Sequence, residues 1–251
     1  MLRSLLFLAL FATLMPAAEG PWKSLFDGKT FAGWEKPVGQ PFVIEDGCIK
    51  AVRNPAIHED LFTVERFGDF EFEFEWKISP RGNSGIKYRI QDRVWLHDQR
   101  VPRFEPNVVA AMEKRRTDRP TKGQEYVIGF EYQITDDAAN PDALKAGPLH
   151  ATGALYDMFP AVKPPVKTAG EFNRSRIIVR GDRFEHWLNG EKVLEGSLKA
   201  PEIAKASAKR WGEGSPVYNL LVNQPVKQCQ ISLQNHGDEA WFRNLRIRRL
   251  D

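Results

Sequence analysis

Residues 70–76 read Phe70-Glu71-Phe72-Glu73-Phe74-Glu75-Trp76, a strict alternation of aromatic and acidic side chains. Successive side chains of an extended chain point to opposite faces, so this period places four rings on one face and three carboxylates on the other. A helix would scatter both sets around its axis. The segment is therefore a strand whose aromatic face has to be core.

The same period recurs along the chain in both directions. Phe42-Val43-Ile44 and Cys48-Ile49-Lys50-Ala51-Val52 flank Glu45-Asp46-Gly47, a hairpin with an Asp-Gly turn. Further strands are expected over 85–90, 126–135, 176–180, 183–188, 192–195, 230–234 and 240–248, with Gly181-Asp182 and Asn189-Gly190 as turns. So many strands without a strand–helix–strand rhythm predict an all-β jelly-roll sandwich. Two stretches, 91–124 and 197–228, are far longer than ordinary connections. We expect these insertions to lie around the rim of a sheet face, with short helices over 107–116 and 202–211.

Met1-Leu2-Arg3, the apolar run from Leu5 to Leu14 and the small residues Ala17-Ala18 form a secretory signal peptide. The apolar run is too short to span a bilayer. Residues 19–251 are then expected as one domain, exported to the periplasm or beyond, without a stable membrane anchor. A net charge of +3, from 36 basic and 33 acidic side chains, gives no reason to expect a nucleic-acid partner. The dense patch of Lys114-Arg115-Arg116 with Arg119 reads as surface. Cys48 and Cys229, near opposite ends of the chain, could form a disulfide in an oxidising compartment or stay as buried thiols. Their spacing is not that of a zinc site.

Alternation also sorts the polar residues into faces. Ile86 and Tyr88 oppose Lys87 and Arg89; Phe130, Tyr132 and Ile134 oppose Glu131 and Gln133; Ile231 and Leu233 oppose Ser232, Gln234 and His236. Carboxylate, amide and guanidinium groups can hydrogen-bond adjacent sugar hydroxyls, and Trp95, Tyr156, Trp211 and Trp241 could pack on a sugar ring. A solvated outer face carries polar residues too, and period alone does not separate the two readings. His236 precedes Gly237 at a strand end, where the turn leaves its imidazole facing outward. Asp136 and Asp137 follow the Glu131 strand and could bind a cation or start a turn. The Glu71, Glu73 and Glu75 row lacks the close carboxylate pair of a retaining glycosidase. It reads as a charged outer strand that resists edge pairing.

Several of these stretches carry a resemblance. Ser24-Leu25-Phe26-Asp27-Gly28-Lys29 with Gly33-Trp34, Gly82-Asn83-Ser84-Gly85-Ile86 with Arg89, and Glu131-Tyr132-Gln133 with Asp136 are similar to the 3-keto-disaccharide hydrolase family. So are Thr152-Gly153-Ala154-Leu155-Tyr156-Asp157, Asn189-Gly190, Leu233-Gln234-Asn235-His236-Gly237 and Phe242-Arg243-Asn244-Leu245. The resemblance runs in order over nearly the whole chain after the signal. It departs from the family pattern at the two long insertions and at Asn235, where an aspartate is common.

It implies a concanavalin-A-like jelly roll that cleaves glycosides already oxidised at the third sugar carbon. Such chemistry needs a base for the proton at the second carbon, an electrophile for the enolate and an acid for the leaving oxygen. The resulting expectations make Glu131 or His236 the base, with Arg89 or a bound divalent metal at the enolate. Lys87, Gln133, Tyr156, Gln234 and Asn83 would hold the sugar, and Asp136 is the candidate metal ligand. The alternatives are a non-catalytic carbohydrate-binding module on the same face, and an inert scaffold domain.

Overall fold

The computed structural model describes residues 19–37, 39–55, 57–96, 108–112, 123–162 and 165–250. Its strands are β1 (Lys23–Ser24), β2 (Phe42–Glu45), β3 (Cys48–Ala51), β4 (Ile57–His58), β5 (Leu61–Phe62), β6 (Phe70–Ile78) and β7 (Asn83–Leu96). They continue with β8 (Gly123–Thr135), β9 (Asn173–Arg180), β10 (Arg183–Leu188), β11 (Glu191–Ser197), β12 (Ser232–Leu233) and β13 (Ala240–Arg249). One sheet runs β11-β10-β9-β6-β13-β3-β2, with β1 also on β13; the other runs β4-β8-β7-β12-β5. The result is the expected jelly-roll sandwich. Helices at Pro141–Ala146 and Pro201–Trp211 are the main departures from strand, and residues 108–112 are helical as well. The helix expected over 202–211 is thus present, whereas much of the one expected over 107–116 falls outside the described residues, as do the basic patch and the signal segment.

β6 sits at the middle of the larger sheet, and its rings are sealed: Phe70, Phe72, Phe74 and Trp76 are each at most 1% exposed. Phe70 and Phe74 pack edge-on against Tyr88 and Tyr132 of the facing sheet, at 6.3 and 5.8 Å between ring centres. Each such ring removes about 150–250 Å2 from water, so these contacts lock the two sheets together.

The acidic face of β6 is not an edge. Because β9 and β13 flank it on both sides, Glu71 and Glu73 are buried and each meets arginines of both neighbours. Arg176 lies 3.1 Å from Glu71 and Arg174 2.7 Å from Glu73, while Arg248 and Arg246 approach from β13. The row is an interstrand charge ladder, and the protective-edge reading is set aside.

A second correction concerns Arg89. The pairing of β7 with β8 slips between Tyr88 and Asp92, and Arg89 takes a positive φ of 49°. Alternation fails across this bulge, and the side chain leaves the polar face. Its guanidinium is buried against Asp69 and the carbonyls of Gly181 and Lys227, where it ties three connections together. Gly129 faces the bulge, and a Cβ there would come within 3.1 Å of Ile90.

The two cysteines are free. Each thiol is buried and meets a nearby carbonyl instead, Cys48 that of Asp46 and Cys229 that of Val226. Among the described residues, no helix is long and apolar enough to cross a membrane.

Candidate active site

The smaller sheet turns its polar face toward a cavity of about 390 Å3. Pairing fixes its floor: Lys87 on β7 stands opposite Glu131 on β8, with Ser232 of β12 on its other side. Asn83, Gln234 and His236 complete that face, and Tyr156 approaches from the loop after β8.

Glu131 is the chemical centre of this arrangement. Burial pushes its carboxyl up to about 7, partly offset by the Lys87 ammonium. The carboxylate lies across Gly85 of the neighbouring strand, where an added Cβ would come within 2.5 Å of Oε1. Only glycine leaves that space open. Oε2 accepts a long hydrogen bond of 3.4 Å from the Gln234 amide. The Gln133 amide, oriented to suit its surroundings, donates to Oε1 at 3.1 Å and to the Ser84 carbonyl at 3.2 Å. The Oε1 of Gln234 is buried without a partner, a hydrogen-bonding capacity held open at the cavity wall.

Lys87 is held by Asp60, whose Oδ2 sits 3.0 Å from its Nζ and also accepts from the Ser232 hydroxyl at 2.9 Å. Burial works against the ammonium, yet the charges of Asp60 and Glu131 outweigh it and raise the Lys87 pKa. A permanent cation therefore stands beside a carboxyl that titrates near neutrality. His236 is open to the cavity but crowded by protein; that burial, followed by the Lys87 charge, lowers its pKa and keeps the ring neutral.

The wall opposite comes from the 149–158 loop and the helix Pro201–Trp211. Tyr156 donates to Asp142 at 3.3 Å, and the same Asp142 oxygen holds His150 at 2.7 Å. Arg210 pairs with Asp157 at 3.2 Å and lies over the rings of Tyr156 and Trp211. Both Arg210 and Trp211 line the cavity, so the 197–228 insertion does reach the rim of the sheet face.

Of the residues singled out in the sequence, Glu131, His236, Lys87, Tyr156, Gln234 and Asn83 meet at this cavity. Gln133 does not line it; it lies beneath and orients Glu131. Arg89 is absent for the reason given above. Asp136 is also elsewhere: its Oδ2 caps the Arg81 amide at 2.8 Å, which is the turn reading. Among the described residues, no three His, Cys, Asp or Glu side chains converge to hold a metal. Asp60 and Arg210 were not foreseen. The first belongs to a segment whose strands are two residues long, too short to display a period, and the second stands on a helix inside an insertion.

Comparison with known proteins places this geometry among relatives. The family profile described as a 3-keto-alpha-glucoside-1,2-lyase-like domain matches residues 21–248. A protein from Bacteroides thetaiotaomicron named 3-keto-disaccharide hydrolase is 33% identical over 94% of this chain and 81% of its own length. Among solved structures, a proposed glycosyl hydrolase from Parabacteroides distasonis is 26% identical with a TM-score of 0.67, over 92% of this chain and 94% of that one. A Bacillus subtilis protein of galectin-like fold, 11% identical, has a TM-score of 0.50 over 94% and 97% and supports the fold alone.

Proposed function

The chain belongs to the 3-keto-alpha-glucoside-1,2-lyase-like family, and from that premise we propose that its cavity cleaves 3-keto-glycosides by removing the proton at the second sugar carbon. A ketone at the third carbon acidifies that proton. The ionised Glu131 takes it, and the bonding pair moves into an enolate whose oxygen Lys87 stabilises. The enolate then reforms the ketone as its electrons make a double bond between the first and second carbons. The glycosidic oxygen leaves with the proton that Glu131 has taken, passed directly or through water, which returns the carboxylate. Water adds across the new double bond, hydroxyl to the first carbon and proton to the second, and the net change is hydrolysis.

Lys87 replaces Arg89 in the role expected for a cation at the enolate. His236, neutral and open to the cavity, hydrogen-bonds the departing oxygen or the incoming water. Gln234, Asn83 and Tyr156 hold the hydroxyls, and Gln133 and Asp60 position Glu131 and Lys87. No step is routed through a metal, since among the described residues no three His, Cys, Asp or Glu side chains converge to hold one. The observation that carries this reading is the pairing of Glu131 with Lys87 across adjacent strands, one titrating near 7 and the other a fixed cation. We further propose that residues 1–18 direct export and that residues 19–251 act as one jelly-roll unit outside the cytoplasm.

The purified protein is to be incubated with an aryl 3-keto-glucoside and with the unoxidised parent. Release of the aryl alcohol from the keto compound alone supports the enzyme. Tight binding of either sugar without release would make the chain a carbohydrate-binding module instead.

A further inference from the structure

The helix Pro201–Trp211 buries Ile203 and Ser207 and turns another face outward, carrying Glu202, Lys205, Ala206 and Lys209 at helical spacing. That face forms one wall of a second hollow of about 470 Å3, whose other wall is Leu149, Asp157 and Met158. Arg210 and Met158 line both this hollow and the cavity of Glu131, so the two adjoin along these side chains.

Its chemistry differs from that of the first compartment. Leu149, Met158 and Ala206 give it an apolar bed, and Arg210 is already paired with Asp157. Lys205 and Lys209 stand on the same helix face as Glu202, and among the described residues neither lysine forms an ion pair. The hollow is built largely by the long connection between β11 and β12, the kind of segment that carries specificity on a rigid scaffold.

We propose that this second compartment is the leaving-group subsite, and that it takes a flat, apolar-faced alcohol bearing a negative charge, such as a carboxylated phenol. This rests on the reading of the first cavity as the site of glycoside cleavage. The ring lies on Leu149, Met158 and Ala206, and the anionic substituent meets Lys205 and Lys209 at the rim.

The test compares three 3-keto-glucosides that differ only in leaving group: methanol, an uncharged phenol, and 4-hydroxybenzoate. For the wild-type protein at low salt, kcat/KM corrected for leaving-group pKa is expected to favour the benzoate over the uncharged phenol about five-fold, since exposed charge pairs are worth under about 1 kcal/mol each. In a Lys205→Glu, Lys209→Glu variant of unchanged melting temperature, the benzoate-to-phenol ratio should fall below one, and 0.5 M salt should level both proteins. Equal ratios in wild type and variant, with the methyl compound still cleaved, would overturn the subsite while leaving the cleavage reading intact. Failure to cleave even the methyl compound would instead strike the cleavage reading. Should the double variant misfold, Lys205→Gln and Lys209→Gln taken singly must each shift the ratio toward one.

Discussion

Glu131 occupies a position whose cost to stability is part of its use. Its carboxyl titrates at about 7 in the folded chain against an ordinary value of 4.5, so the native state binds the proton more tightly than the unfolded state. Stability therefore falls as pH rises from about 4.5 to 7 and stays reduced above. Glu131→Gln removes this penalty: the variant should gain about 2 kcal/mol at pH 8, after allowing for the partial access of water, and nothing at pH 4. Urea unfolding at the two pH values checks this. The same variant should lose at least about 100-fold in kcat, the usual loss on removing a general base. As a base, Glu131 must be ionised, so wild-type kcat/KM should rise with pH through about 7. A fall through that value would reassign Glu131 as the acid and leave His236 as the base. Asp60→Asn tests the other half of the couple. It strips a buried ammonium of its partner and should destabilise the protein by about 3 kcal/mol, while moving the alkaline loss of activity to lower pH as the Lys87 pKa drops.

At the scale of elements, the site is a consequence of strand register. The pairing of Lys87 with Glu131 and of Gly85 with Gln133 puts a cation, a carboxyl and an empty glycine position on one face. Gly85→Ala should displace the Glu131 carboxyl by about an ångström and cost roughly 100-fold in kcat, with unchanged KM for a substrate held by Gln234 and Tyr156. Steady-state kinetics beside a thermal melt separates this from unfolding. The elements also explain what was legible in the sequence. Long, strongly alternating strands such as β6, β8 and β13 were readable because one face of each is sealed, and so Glu131 could be placed on the polar face of its strand. Arg89 was misplaced because a bulge leaves no mark in the alternation of the preceding residues. Strand β7 runs on to Leu96 through what reads as the start of an insertion, since beyond the bulge its residues are only partly buried and their period is weak. Asp60 could not be found at all, lying where the chain pairs for two residues at a time.

For the whole molecule, the two sheets are joined across the core by a buried polar contact as well as by rings. His186 of the larger sheet is fully buried, with one ring nitrogen 3.0 Å from the Tyr88 hydroxyl of the smaller sheet and the other 2.8 Å from the Gly153 carbonyl. Burial pushes its pKa down to about 4 from 6.5. The folded state thus holds the neutral ring, and this contribution is complete above pH 6.5 and is lost as pH falls toward 4. Between pH 7 and pH 4.5 the wild-type protein should lose about 2 kcal/mol from this group alone. His186→Gln, uncharged throughout, should show a correspondingly shallower acid dependence in urea titrations. The fold was legible at this scale because jelly rolls follow from strand number and alternation. The cavity was only half legible, because one wall belongs to a sheet and the other to connections whose path no period describes.

The central claim is that cleavage begins with removal of the proton at the second sugar carbon. Turnover of a 3-keto-glucoside in deuterium oxide, followed by mass spectrometry and NMR of the released sugar at early times, tests it most directly. The account predicts deuterium at the second carbon of the product, with unreacted substrate and an enzyme-free control as references, and loss of this labelling together with turnover in Glu131→Gln. Product formed at the wild-type rate with protium fully retained at that carbon would contradict it, and would point to direct displacement at the first carbon.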